Sequence, residues 1–151
     1  MSRARTPGVF RERGMLRDDN SALLMAGDLI RIYQCFCDRT RLRILHLLAK
    51  SPLCVCHFQE ILDEPQVKIS KHLAYLRKRK MVVTKRDRNW MIYSIPVKRS
   101  RELATNLKCL QDCVQSDAVF KRDLAKLGRL RAGCCEPVAV FRTRKREGAK
   151  Q

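Results

Sequence analysis

Eight cysteines in a chain of 151 residues are the side chains best equipped for chemistry, and they fall in four close pairs: Cys35 and Cys37, Cys54 and Cys56, Cys109 and Cys113, Cys134 and Cys135. The N-terminal residues lack the apolar stretch of a secretion signal, so the thiols are expected to be reduced, metal-ligating or redox-active rather than a disulfide framework. Cys54-Val55-Cys56 stands just before and within the first turn of a helix predicted over residues 55 to 62. Backbone N–H groups and the helix dipole favour thiolate there. Thiolates are soft ligands and select ions such as arsenite, antimonite, cadmium or lead over hard, oxygen-seeking cations. Trivalent arsenic takes three thiolates, yet Gln59 stands three residues beyond Cys56, so the third is not local. Cys109 and Cys113, four apart on a predicted helix, share one face and can hold one ion between them. Cys134-Cys135 lie in a basic stretch without periodicity. Cys35 and Cys37 read as packing residues. His57 follows the first pair directly, but imidazole suits zinc better than arsenite, and it is left outside the expected site.

The elements that must position these thiols follow from hydrophobic periodicity. A helix is predicted over 22 to 36, capped by Ser21, with Leu23, Ala26, Leu29, Ile30, Tyr33 and Phe36 inward. A second is predicted over 40 to 49, capped by Asp38 or Thr40, with Leu42, Leu45, Leu48 and Ala49 inward before Ser51-Pro52 stops it. The helix at 55 to 62 buries Val55, Phe58, Ile61 and Leu62, and Asp63-Glu64-Pro65 turns the chain. Ile69, Leu73 and Leu76 then mark the inward face of a fourth helix, with Lys68, Lys71, Tyr75 and Arg79 placed outward. Val82 to Arg86 and Trp90 to Ile95 read as two strands around Asp87-Arg88-Asn89. Helix, turn, basic helix and basic-tipped hairpin make a winged helix-turn-helix, mainly α with a small β-hairpin wing. From about Ser100 to Leu130 one long helix is predicted, whose Leu103, Leu107, Leu110 and Val114 form a coiled-coil-like seam for a homodimer. Three segments result: a basic arm over 1 to 20, a DNA-binding and dimerisation domain over 21 to 130, and a basic tail over 131 to 151.

A net charge of +18, from 33 Lys and Arg against 15 Asp and Glu, implies a polyanionic partner, with double-stranded DNA first. The expected contacts are Gln66, Lys68, Ser70, Lys71, His72 and Tyr75 on the basic helix, whose first turns meet base edges in the major groove. Arg86, Arg88 and Asn89 at the wing tip suit the adjacent minor groove or the phosphate backbone. Between Lys68 and Arg88 the sequence holds nine Lys and Arg and the single acid Asp87, too one-sided for an ordinary solvated surface. No apolar run approaches the roughly 18 residues a membrane span requires, and a cytoplasmic location without membrane association is expected. Enzyme signatures such as H-E-x-x-H, a glycine-rich phosphate loop or G-x-S-x-G are missing, and no catalytic residues are assigned.

In order and spacing, Asp38-Arg39-Thr40-Arg41-Leu42-Arg43-Ile44-Leu45, Leu53-Cys54-Val55-Cys56 and Ile69-Ser70-Lys71-His72-Leu73-Ala74-Tyr75-Leu76 resemble the ArsR/SmtB family of metal-sensing repressors. The similarity spans about residues 22 to 115. It implies a dimeric winged-helix protein that represses metal-resistance genes when empty and leaves the operator when metal binds. It also implies that Cys54 and Cys56 are the thiolate pair of an arsenic, antimony or cadmium/lead sensor. Trivalent arsenic or antimony is then the expected effector, ahead of cadmium, lead or zinc, with Cys109 and Cys113 as further metal candidates. A thiol-redox-responsive repressor is the alternative. Four residues at three places depart from the family pattern: Arg39 replaces a frequent proline, Arg79-Lys80 a common Ala-Gly, and Asn89 a usual wing-turn glycine.

Overall fold

The computed structural model describes residues 19 to 130, and side chains from residue 27 onward. The basic arm up to residue 18, the tail from residue 131, and with it Cys134 and Cys135, lie outside the described residues. The described chain runs α1 (Asp19–Phe36), α2 (Arg39–Leu48), β1 (Leu53–Cys54), α3 (Val55–Leu62), α4 (Gln66–Lys78), β2 (Val83–Asp87), β3 (Trp90–Ser94), α5 (Arg101–Cys113) and α6 (Ala118–Arg129). This is a winged helix: α3 and α4 form the helix-turn-helix, and β2 and β3 the wing.

Several boundaries have a local cause. The Asp38 carboxylate accepts from the Arg41 N–H and caps α2, and Ser100 does the same for α5 through Leu103, satisfying donors that a helix start leaves open. After α4, the Met81 N–H reaches the Leu76 carbonyl and the Lys80 N–H that of Arg77, each at 3.0 Å. That is the Schellman closure, and it puts Lys80 at φ 60, where glycine is the least strained residue. At the wing tip it is Arg88, at φ 52, that enters the left-handed region. The glycine-like role expected of Asn89 belongs to its neighbour.

The core gathers Ile32 and Cys35 of α1, Ile44, Leu45, Leu47 and Leu48 of α2, Phe58, Ile61 and Leu62 of α3, and Ile69, Leu73 and Leu76 of α4. On α4 the inward face is the expected one. On α1 it is not: Ile32 and Cys35 point in, whereas Ile30 is 58% and Tyr33 53% exposed. The helix also begins at Asp19, ahead of Ser21. Ala49 is exposed beyond the end of α2, and Val55 is only half-buried. Cys35 is a packing residue as expected, but Cys37 is exposed.

The long terminal helix is in fact two. Asp117 accepts from the Val119 and Phe120 N–H groups and starts a new helix, so α6 turns back to pack on α2 and α3. Leu103, Leu107 and Leu110 are buried within the chain's own core, with Val114 half-buried against it. The leucine seam therefore closes this core and supplies no free coiled-coil face. A two-residue strand that sequence reading missed, β1, joins the wing to give the order β1-β3-β2, all antiparallel, with Leu53 opposite Tyr93 and Cys54 opposite Ile92.

His46 illustrates the cost of burying a polar ring. It lies edge-on to Phe120 with centroids 5.3 Å apart, and neither ring nitrogen has a hydrogen-bond partner among the described residues. Burial pushes its pKa down from 6.5, Lys50 adds to the fall, and Asp123 opposes it. A base whose folded pKa is depressed contributes stability above its unfolded pKa and loses it as pH falls through that value. The thermal midpoint should therefore fall as pH drops below 6.5, and His46→Leu should flatten that fall. Equal acid sensitivity in the variant would place the titration elsewhere.

Candidate thiol site and nucleic-acid interface

Cys54 closes β1 and is the N-cap residue of α3, at φ −92 and ψ 170. Extended backbone at that position lets one residue end a strand and open a helix. Its strand partner is Ile92 of β3, and both pack with half-buried Cys56 in a small cluster of their own. The Cys54 and Cys56 sulfurs are joined in a disulfide, with Cα atoms 5.5 Å apart. His57 is buried beside them. One ligand atom from each of Cys54, Cys56 and His57 falls within 4.8 Å of the others. Metal–sulfur bonds of about 2.3 Å and metal–nitrogen bonds of about 2.0 Å place donors around one ion at such separations. Reduced, these residues fit a thiophilic ion as a pair of thiolates with an imidazole at hand.

His57 is the member that sequence reasoning set aside on ligand preference. Its adjacency to Cys56 was the available signal, since the first turn of a helix brings consecutive side chains round the same end. Cys109 and Cys113 do not join this group. They pair with each other on the exposed face of α5, sulfur to sulfur at 3.7 Å, as four-residue spacing dictates. Hydrogen bonding to Cys109, and repulsion from it when charged, push the Cys113 thiol up. The four proposed ligands thus form two pairs rather than one four-thiol site.

On α4, a residue's angular position sorts the expected DNA contacts. Gln66, Lys68 and Lys71 are exposed and Ser70 is half-exposed. Lys68 also holds Glu64 at 2.7 Å across one turn. His72 is turned toward α2, its Nδ1 3.7 Å from the Asp38 carboxylate. Tyr75 departs most from expectation. Its ring is half-buried against the core and carries two guanidiniums over it, Arg41 at 4.4 Å and Arg79 at 3.4 Å from its centroid. Arg41 is itself fixed by the Cys35 and Gln34 carbonyls at the end of α1. Cation–π contact with both guanidiniums makes Tyr75 part of a clasp between α1, α2 and α4. At the wing, Arg86 and Arg88 are exposed, and the Arg86 Nε donates to the Arg88 carbonyl at 3.2 Å, bracing the turn.

A helix-turn-helix with a cationic outward helix and a cation-tipped wing defines a DNA-binding regulator of transcription. Comparison with known proteins agrees. The bacterial regulatory protein arsR family matches residues 38–82, which is α2 through α4 with the Cys54 and Cys56 segment. The arsenical resistance operon repressor of Escherichia coli K12 is 34% identical over 102 residues, covering 64% of this chain and 85% of that protein. The arsenic resistance transcriptional regulator ArsR1 of Pseudomonas putida is 37% identical over 65 residues, covering 42% of this chain and 51% of that one. Among solved structures, HlyU from Vibrio cholerae superposes with a TM-score of 0.53 at 25% identity, over 64% of this chain and 96% of its own. The chain belongs to the arsR family of bacterial regulatory proteins. It is a regulator and not an enzyme, and no described helix is long and apolar enough to cross a membrane.

Proposed function

We propose that this protein is a dimeric repressor that binds operator DNA through α4 and the wing, and releases it when a thiophilic ion occupies Cys54 and Cys56. Trivalent arsenic or antimony is the effector class, ahead of cadmium, lead and zinc. The observation that carries the reading is the place of the thiols. Cys54 belongs at once to β1, which pairs with the wing strand β3, and to the start of α3, which packs against α4. Both DNA-contacting elements are therefore attached to the residue that would bind the ion. Drawing Cys54 and Cys56 around a common ligand shifts the first turn of α3, and with it the tilt of α4 or the set of the wing. Coupling between two sites is typically about 1 to 3 kcal/mol, or roughly 5- to 150-fold in affinity. The ion must bind the DNA-free form more tightly than the bound form for release to follow.

The effector class is supported by relatives: two proteins similar in this region are an arsenical resistance repressor and an arsenic resistance regulator. A third sulfur for arsenic would come from Cys109, Cys113, Cys134 or Cys135, reached within the chain or from a partner subunit. Dimerisation is supported by the exposed Ile30 and Tyr33 on α1, a face that the core of the described residues leaves uncovered.

The disulfide between Cys54 and Cys56 favours a second reading, in which two thiols lose two electrons and two protons to an oxidant and the same mechanical link is worked by the new bond. Arsenite titration under reducing conditions separates the two, because only ion binding then remains.

For DNA, the test is selection of duplexes by the full-length protein from a randomised library at low salt, followed by anisotropy on the enriched sequence. Lys71→Ala should weaken that complex by about 1 to 3 kcal/mol. Affinity should fall steeply with added salt, as neutralised phosphates require. Failure to enrich any sequence, or an unaffected Lys71→Ala, would refute the assignment of α4 as the reading helix.

A further inference from the structure

Val67 is 67% exposed, although valine is among the residues most often buried. It is the second residue of α4 (Gln66–Lys78), whose Ile69, Leu73 and Leu76 are all fully buried. At about 100° per residue, Val67 lies roughly opposite those three. On the same construction Lys71, Ala74 and Lys78 fall within about 40° of it, and all three are exposed. The outward stripe of the helix is thus apolar, cationic, apolar, cationic, beginning with valine at the end that meets base edges. Lys68, by contrast, is turned to Glu64.

Resting on the reading of α4 as the helix that enters the major groove, we propose that Val67 reads a thymine through its 5-methyl group. Base edges in the major groove present hydrogen-bond donors and acceptors and only one apolar group, the thymine methyl. A branched aliphatic side chain with no polar atom has nothing else there to recognise. Gln66 and Lys71, flanking it, have donors that suit adenine or guanine. Val67 therefore makes one position in each half-site depend on a methyl group rather than on a hydrogen bond.

The test uses the full-length protein, reduced and metal-free, and the sequence it enriches from a randomised duplex library. Each thymine is replaced singly by deoxyuridine, which keeps every hydrogen-bonding group and removes only the methyl. One thymine per half-site should show a loss of about fourfold, the effect of withdrawing one buried methyl-sized group at ~0.8 kcal/mol. Val67→Ser should show a similar loss on the thymine duplex and no further loss with deoxyuridine. The substitution is at an exposed site, and unchanged circular dichroism would confirm that the variant is folded. Binding indifferent to every thymine methyl, or a deoxyuridine penalty that persists in Val67→Ser, would overturn the proposal while leaving DNA binding intact. Enrichment of no sequence at all would overturn it together with the reading on which it rests.

Discussion

Asp123→Ala is expected to destabilise the fold by about 3 to 5 kcal/mol, the range for removing one partner of a buried ion pair. Arg43 on α2 meets the Asp123 carboxylate on α6 with two bonds, Nε to Oδ2 at 2.6 Å and Nη2 to Oδ1 at 2.8 Å. The two side chains are 9% and 1% exposed, so water cannot replace either partner. The same guanidinium also reaches the Leu62 carbonyl at the end of α3, at 3.4 Å, and the carboxylate holds its pKa above the usual arginine value. One ion pair therefore ties α6 to both helices beneath it. Without Asp123, a guanidinium stays buried with a single weak carbonyl contact. A thermal midpoint lowered by about 10 °C or more is the expected reading for a domain of this size. Replacing both partners, as in Arg43→Met with Asp123→Leu, should cost much less, because no charge is left uncompensated. A wild-type midpoint for Asp123→Ala would show that α6 does not depend on the pair.

Nothing in local sequence announces that contact. Arg43 stands in a stretch whose apolar period is satisfied by its neighbours, and its partner is 80 residues away. Long-range pairings of this kind explain most of what reading the chain left out. Tyr75 has the spacing of an outward residue, yet the Arg41 and Arg79 guanidiniums both fold over its ring. A two-residue strand such as Leu53–Cys54 is too short for alternation to register. The break between α5 and α6 was legible in principle, because Asp117 is a good N-cap. It was hidden by an apolar period that continues across the turn, and the error carried the leucine seam with it. What the chain did disclose is what depends on short-range chemistry. That includes the inward stripe of α4, the hairpin, the Asp38 cap, and the position of Cys54 and Cys56 at the opening of α3. His57 needed only the geometry of one helical turn to join them.

Loss of the effector response in the Cys54→Ser, Cys56→Ser double variant is the second large effect expected. Serine oxygens are hard ligands and do not replace thiolates for arsenic or antimony. The variant should still fold, because Cys54 and Cys56 pack in a minor cluster with Ile92, apart from the main core. It should still bind DNA, because neither residue lies on the outward faces of α4 or the wing. Cys109→Ser and Cys113→Ser, made separately, then report whether α5 supplies the third sulfur. If both respond normally, the search moves to Cys134 and Cys135.

The decisive measurement is release of the enriched DNA duplex by arsenite, followed by anisotropy under reducing conditions, for the wild type and the Cys54→Ser, Cys56→Ser variant side by side. Wild-type affinity should fall by roughly 5- to 150-fold as arsenite saturates, and the variant should start at wild-type affinity and stay there. Release from the variant at the same arsenite concentration as from the wild type would contradict sensing at Cys54 and Cys56.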